Sequence, residues 1–133
     1  MIRRITDDLD MDVTVNIMDT VREEDGLAMS SRNAYLTTEE REKAPILFKA
    51  LCAAREVFES RLARGLEELE ANDLREVVEE VLKTEPLIKE VQYVAIDDLE
   101  QMQPLEKVGP SGCIISLACV VGSVRLIDNI LLS

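Results

Sequence analysis

The stretch Cys113-Ile114-Ile115-Ser116-Leu117-Ala118-Cys119-Val120-Val121 is an almost continuous apolar run of strand length. Such a run is typical of a central strand that is covered on both of its faces. The next two residues, Gly122-Ser123, suit a type II′ hairpin turn into a further strand, Val124–Ile127. Upstream, Glu90–Asp97 alternates like a strand with both faces partly covered. The sequence therefore predicts a small, three-stranded, mainly antiparallel sheet.

Helices are predicted to precede and interrupt this sheet. Thr37 and Glu40 have the spacing of a capping box, and Pro45 predicts a kink or a restart in the helix that follows. Apolar residues then recur every three or four positions and give the next helix one apolar face. These residues are Leu47, Leu51, Ala54, Phe58 and Leu62. Arg64-Gly65 is predicted to end this helix.

A further helix is predicted from an N-cap at Asp73 to Lys83. The fold class is α+β, with two to three helices packed on the sheet. Nearer the N-terminus, residues 2–9 have the pattern of a helix tail, and Val13–Ile17 alternates as a strand does. An unpaired strand of this kind favours a homodimer formed by edge pairing or domain swapping.

Composition excludes several function classes. The chain has 133 residues, a single-domain length, and a formal net charge of −12. This charge argues against binding to nucleic acid or to an anionic membrane surface. No apolar run reaches the roughly 18–20 residues of a membrane span, and the first residues lack a signal-peptide core. The three cysteines lack metal-binding spacing, so buried free thiols and a cytoplasmic location are expected.

The segment Val21–Asn33 has neither helical nor strand periodicity and combines Gly26 with Ser30, Ser31 and Arg32. Arginine binds phosphate oxygens bidentately, and serine donates a hydrogen bond to them without bulk. These residue types therefore indicate a phosphate-binding loop. The alternative is a polar connecting loop whose serine and asparagine residues only cap turns.

The residue order in Arg22–Leu36 resembles the signature loop of the pantothenate synthetase (pantoate–β-alanine ligase) family, the counterpart of the Lys-Met-Ser-Lys-Ser loop of class I aminoacyl-tRNA synthetases. The resemblance continues to Ala44 and returns in Val124–Asn129. It implies that residues 23–133 are the C-terminal lid domain of an ATP-dependent, AMP-forming ligase of pantothenate biosynthesis. Residues 1–22 would be a remnant of its N-terminal α/β nucleotide-binding domain.

The resemblance also implies a two-step reaction. The carboxylate of pantoate attacks ATP to give pantoyl adenylate and pyrophosphate, and the amine of β-alanine then displaces AMP. Mg²⁺ is expected to accompany ATP without being held firmly by this chain. The chain has no histidine, so it lacks the family's His-x-Gly-His element. The missing N-terminal domain is therefore the expected partner, and this chain alone is expected to be inactive.

The family's site residues map onto the Val21–Asn33 segment. The resemblance gives catalytic roles to Ser30, Ser31 and Arg32, which would bind the phosphates. The backbone of Val21 would meet the adenine base, and Met29 would pack near the adenosine. The alternatives are that Val21 and Met29 are core residues and that Arg32 pairs with a surface carboxylate such as Glu39.

Other polar residues are predicted to be architectural. Asp25 is expected to form an Asx-turn at Gly26 rather than to lie near Mg²⁺, and Asn33 to shape the exit of the loop. Arg125 and Asp128 are expected on opposite faces of the last strand. The alternative function is a non-catalytic interaction domain that carries a vestigial phosphate loop. A synthetase fragment that binds tRNA is disfavoured by the negative charge.

Overall fold

The computed structural model describes residues 22–132, which form an α+β domain of helices packed on antiparallel strands. The predicted helix tail at 2–9 and the strand Val13–Ile17 lie outside the described residues. The elements in chain order are a 3₁₀ helix (Ser31–Tyr35), α1 (Thr38–Lys43), α2 (Ile46–Ala63), β1 (Leu69–Glu70), α3 (Ala71–Lys83), β2 (Ile88–Asp97), β3 (Lys107–Val108), β4 (Cys113–Val121) and β5 (Val124–Leu132). None of the helices among these residues is long and apolar enough to cross a membrane.

The main sheet has the strand order β2-β4-β5, with both neighbouring pairs antiparallel. The predicted central position and bounds of β4 are confirmed. Val121 pairs with Val124, and Gly122 alone in the two-residue turn has a positive φ (63°), as a type II′ turn requires. Strand β5 extends to Leu132, five residues beyond the predicted end at Ile127.

The start of the helical region follows local sequence signals. The side chain of Thr37 accepts a hydrogen bond from the Glu40 amide (3.1 Å), and the Thr37 amide donates to Glu40 Oε1 (3.0 Å). The predicted capping box is therefore present. Helix α1 ends at Lys43 and α2 begins at Ile46, with Pro45 as its N-cap. Proline lacks the amide that a continuous helix needs there, so the predicted restart is confirmed.

Helix α2 ends in a Schellman motif, as Arg64-Gly65 predicted. Gly65 has a φ of 93° and donates to the carbonyl of Leu62 (3.0 Å). The amide of Leu66 reaches back to the carbonyl of Arg61 (3.2 Å).

The predicted start of α3 at Asp73 is wrong. The helix begins at Ala71, and its N-cap is Glu70, three residues before the predicted N-cap; Glu70 makes no side-chain capping bond. A two-stranded ladder of β1 and β3 brings the chain into place, and the Ala71 amide donates to the carbonyl of Glu106 (2.8 Å). This distant carbonyl satisfies a donor that a local cap would otherwise serve. Asp73 instead pairs with Arg61 on α2 (2.9 Å).

One apolar core lies between α2, α3 and one face of the main sheet, which we name the core face. Its largest fully buried side chains include Phe58, Leu74, Ile96, Ile115 and Leu117. The opposite side, the outer face, consists of the alternate residues of the same strands. Tyr93, Ala118 and Ile127 form one row across it, because Ala118 pairs with both neighbours.

The buried thiols give the fold a pH-dependent stability. Burial raises the pKa of Cys113 to about 12 and that of Cys119 to about 11, whereas an exposed thiol titrates near ~8.5. The folded state therefore keeps both thiols protonated at a pH where the unfolded chain ionises them. The contribution of the two thiols to the free energy of unfolding is fully present below pH ~8.5 and is lost as the pH rises toward their pKa values in the folded state.

We expect the free energy of unfolding to fall between about pH 8.5 and 10, as measured by urea denaturation. A Cys113→Ala/Cys119→Ala variant should show a flatter pH dependence over this range. Cys52, which is only partly buried, provides the matched control, and Cys52→Ala should keep the wild-type slope. An unchanged slope in the double variant would contradict the assignment.

Candidate functional site

The segment between Arg22 and the 3₁₀ helix forms a tight reverse turn. Arg22 bridges to Ala28 across the turn, and the Glu23 amide donates to the carbonyl of Leu27 (2.8 Å). Gly26 lies in the bend with a φ of 97°. A β-carbon there would lie 2.5 Å from Cδ2 of Phe48 on α2. Both the backbone conformation and the close packing on Phe48 therefore require glycine.

Arg22 fastens this turn to strand β5 and helix α2. Its Nη1 donates to Asp128 Oδ2 (2.8 Å) and to the carbonyl of Gly26 (3.0 Å), while Nη2 donates to the carbonyl of Asn129 (2.8 Å). The guanidinium also lies over the Phe48 ring, 4.0 Å from its centroid. The side chain of Arg22 thus connects the start of the segment, which we name its base, to strand β5 and helix α2.

Asp128 is the buried partner of this arginine. Its side chain is 1% exposed and lies on the core face of β5, while Arg125 is exposed, so the predicted opposite placement is confirmed. Burial raises the pKa of Asp128, and the Arg22 guanidinium acts in the opposite direction. The Asn129 amide also donates to its Oδ1 (2.7 Å).

Sequence reasoning missed the role of Arg22. The available signal was the position of Asp128 in the apolar alternation of β5, between Leu126 and Ile130. A carboxylate at a core position requires a cation or several hydrogen-bond donors, which predicts a buried arginine or lysine partner.

Asp25 has the predicted structural role. Its Oδ1 accepts a hydrogen bond from the Leu27 amide (3.3 Å), which forms the Asx-turn. Arg41 of α1 donates to both carboxylate oxygens (2.7 and 3.3 Å), and this hydrogen bond lowers the pKa of Asp25. Both carboxylate oxygens of Asp25 are therefore engaged by groups of the protein. Residues 22–132 contain no cluster of three or more His, Cys, Asp or Glu residues placed to hold a metal ion.

The predicted phosphate-binding residues lie together at the start of the 3₁₀ helix, and we name these three exposed residues the tip. Ser30, Ser31 and Arg32 are all exposed, and Ser30 caps the 3₁₀ helix by accepting from the Arg32 amide (3.1 Å). The guanidinium of Arg32 reaches the carbonyl of Arg125 at 3.5 Å, a long and weak contact. Met29 is 52% exposed and so is not a core residue, while Val21 lies outside the described residues.

Asn33 closes the tip, as predicted for the exit of the loop. Its Nδ2 donates to the carbonyl of Ala28 (3.0 Å), and its amide donates to the carbonyl of Ser30 (3.1 Å). These bonds hold the two ends of the Met29–Arg32 stretch together. Its Oδ1 is buried and has no hydrogen-bond partner within the described part of the chain.

Comparison with known proteins identifies the family of this chain. The model of the pantoate-beta-alanine ligase family matches residues 1–131. The chain belongs to this family. The resemblance in the loop and in the last strand is therefore confirmed.

Relatives include the pantothenate synthetases of Chloroflexus aggregans and Herpetosiphon aurantiacus, which are 46% and 44% identical to this chain. Each match covers 99% of this chain and 45% of the relative. The crystal structure of pantothenate synthetase from Thermus thermophilus has a TM-score of 0.71 and 39% identity, covering 86% of this chain and 38% of that chain. The chain thus spans less than half the length of these relatives, and the α+β fold is that of the corresponding part.

The Arg22–Asp128 pair predicts a large loss of stability when one partner is removed. Asp128→Ala should lower the free energy of unfolding by about 3 kcal/mol, because it leaves a largely buried guanidinium without its counter-charge. Asp25→Ala removes an exposed partner from the other ion pair of the segment and should leave the unfolding midpoint nearly unchanged. Urea denaturation measures the free energy of unfolding of both variants. Equal losses of this free energy in the two variants would contradict the anchoring role of Arg22.

Proposed function

We propose that this chain is the C-terminal lid domain of an ATP-dependent, AMP-forming ligase that condenses pantoate with β-alanine through a pantoyl adenylate. The observation that carries the proposal is the exposed Ser30-Ser31-Arg32 tip on a chain that belongs to the pantoate-beta-alanine ligase family. Residues 23–133 would form the lid, and residues 1–22 would belong to the N-terminal nucleotide-binding domain. The partners are that domain, ATP, pantoate and β-alanine.

The exposed tip supplies donors for a polyphosphate. In the proposed complex Ser31 and Arg32 donate to phosphate oxygens, and Ser30 adds its hydroxyl while it caps the 3₁₀ helix. Met29, half exposed beside them, packs near the adenosine, and the backbone of Val21 meets the adenine. The net charge of −12 makes the overall field unfavourable for an anion, so the positive potential has to come from this local set.

The proposed reaction needs no nucleophile from the protein. It needs the protein to position the reactants and to stabilise negative charge. The pantoate carboxylate displaces pyrophosphate at the α-phosphorus, and the amine of β-alanine displaces AMP from the resulting anhydride. Arg32 and the serine hydroxyls would stabilise the growing negative charge on pyrophosphate. A lid that closes over the adenylate would also exclude water from this reactive anhydride.

Two further features belong to the same proposal. Mg²⁺ would arrive with the ATP phosphates, since Asp25, a carboxylate of the same segment, is engaged by Arg41. Three free thiols, two of them buried, favour a reducing compartment, and we place the enzyme in the cytoplasm.

Removing the guanidinium of Arg32 tests the proposal. The experiment joins this chain to the part of the Chloroflexus aggregans pantothenate synthetase that lies outside the match. This joined protein should release AMP when given ATP, pantoate and β-alanine. Arg32→Ala should slow AMP release by about 100-fold, the scale expected for one donor to transition-state charge. Arg64→Ala, an exposed arginine at the end of α2, should keep the rate.

The isolated chain separates this proposal from the alternative of a non-catalytic interaction domain. It should release no AMP and bind ATP weakly in calorimetry, because the rest of the site would lie in the other domain. If the joined protein also fails to release AMP, or if Arg32→Ala and Arg64→Ala perform alike, the interaction domain becomes the better description.

A further inference from the structure

Tyr35, the last residue of the 3₁₀ helix, is an aromatic side chain that the fold leaves in solvent. It is 76% exposed, the highest fraction among the large apolar and aromatic side chains of the described residues; Ile127 follows at 58%. The chain has only two tyrosines and two phenylalanines, and both phenylalanines pack in or against the core. A single exposed ring needs no explanation by itself, but the position of Tyr35 beside the proposed phosphate-binding residues gives it one.

The geometry of the 3₁₀ helix relates Tyr35 to Arg32. The Asn33 amide donates to the carbonyl of Ser30 (3.1 Å) and the Leu36 amide to the carbonyl of Asn33 (3.2 Å), which is the three-residue hydrogen-bond spacing of this helix. In a 3₁₀ helix the side chains of residues three positions apart are eclipsed. Tyr35 follows Arg32 by three positions, so the phenol and the guanidinium leave the helix on the same side.

The backbone of Tyr35 is held in place on both sides. The 3₁₀ helix before it packs against β5. Leu36, directly after it, is partly buried against the core, and Thr37 begins the capping box of α1. The side chain therefore extends into solvent from a fixed point. A tyrosine has only two side-chain torsions, so it loses little conformational entropy when it binds a ligand.

The chemistry of a phenol suits the polyphosphate proposed for the tip. Arg32 is the only cation of the tip, and the chain as a whole has a net charge of −12. A phenol donates a hydrogen bond without adding a carboxylate or another repulsive charge. Hydrogen bonds to charged phosphate oxygens are shorter and stronger than those between neutral groups. A triphosphate also offers more oxygens than Ser30, Ser31 and Arg32 can satisfy.

We propose that Tyr35 is a further ATP-binding residue, whose phenol hydroxyl donates to an oxygen of the same polyphosphate that Arg32 binds. The assignment rests on the proposed function for the identity of the ligand. The hydroxyl would contact ATP both before and during the reaction. It therefore contributes to the binding of ATP rather than to the transition state alone.

Removal of the hydroxyl tests this role by kinetics. In the protein joined to the remaining part of the Chloroflexus aggregans enzyme, Tyr35→Phe should raise the KM for ATP by about tenfold, the low end expected for a hydrogen bond to a charged group. The kcat and the KM for β-alanine should stay unchanged, because the lost contact is made equally in the ground state and the transition state. Tyr93→Phe is the matched control: Tyr93 is the other tyrosine, lies on β2 and is 43% exposed, and this variant should keep the KM for ATP. An unchanged KM for ATP in Tyr35→Phe overturns the proposal.

Nitration of tyrosine by tetranitromethane tests the contact without relying on activity. The joined protein is treated with and without saturating ATP, in the absence of pantoate, and the modified peptides are identified by mass spectrometry. ATP should slow the nitration of Tyr35 by about fivefold, because a bound ligand excludes solvent and reagent from the side chain that it contacts. The nitration rate of Tyr93 should be the same with and without ATP.

These outcomes separate the role of Tyr35 from the proposed function. Protection of Tyr35 by ATP in a joined protein that releases no AMP supports the ATP contact and counts against the ligase proposal. Equal nitration of Tyr35 with and without ATP overturns the contact even when AMP is released. Protection that is already complete in the joined protein before ATP is added also overturns it, because the other domain then covers the ring.

Discussion

The pairing of Arg22 with Asp128 is the constraint on which the site depends. Strand β5 places this carboxylate on the core face, where an isolated charge would cost several kcal/mol. The guanidinium that offsets this cost comes from the residue that opens the proposed phosphate-binding segment, and it also binds the carbonyls of Gly26 and Asn129. The fold and the segment are therefore stabilised by the same contact, and the base of the segment has a fixed position on the sheet.

Features governed by near neighbours in sequence were predictable. The type II′ turn at Gly122, the capping box at Thr37 and the helix restart at Pro45 each depend on residues within one turn of each other. The start of α3 and the β1–β3 ladder were not predictable in this way. They depend on a hydrogen bond from Ala71 to the carbonyl of Glu106, which lies 35 residues away in sequence (106 minus 71).

For the site, residue types and their order indicated where the ligand-binding tip lies but not how it is supported. Ser30 and Arg32 were recognised from the family signature, and their exposure agrees with a role in binding. Asp128 was correctly judged architectural, yet its partner was missed, because pairing across 106 residues leaves no local pattern. Whether Ser30, Ser31 and Arg32 bind ATP stays a prediction.

Arg22 and Arg32 also affect how readily strand β5 can pair with a strand of another chain. Edge strands attract other strands through unpaired carbonyls and amides, and two carbonyls of β5, those of Arg125 and Asn129, already accept from Arg32 and Arg22. At the opposite edge, the pairing of β2 with β4 contains two register shifts, which bend a strand and weaken its use as a template. A dimer formed by edge pairing remains a prediction, and these features make either edge of the main sheet a poor place for it. The Arg32 contact with β5 is long and exposed, so a ligand that binds this guanidinium has little to displace, while Arg22 keeps the base of the segment in place.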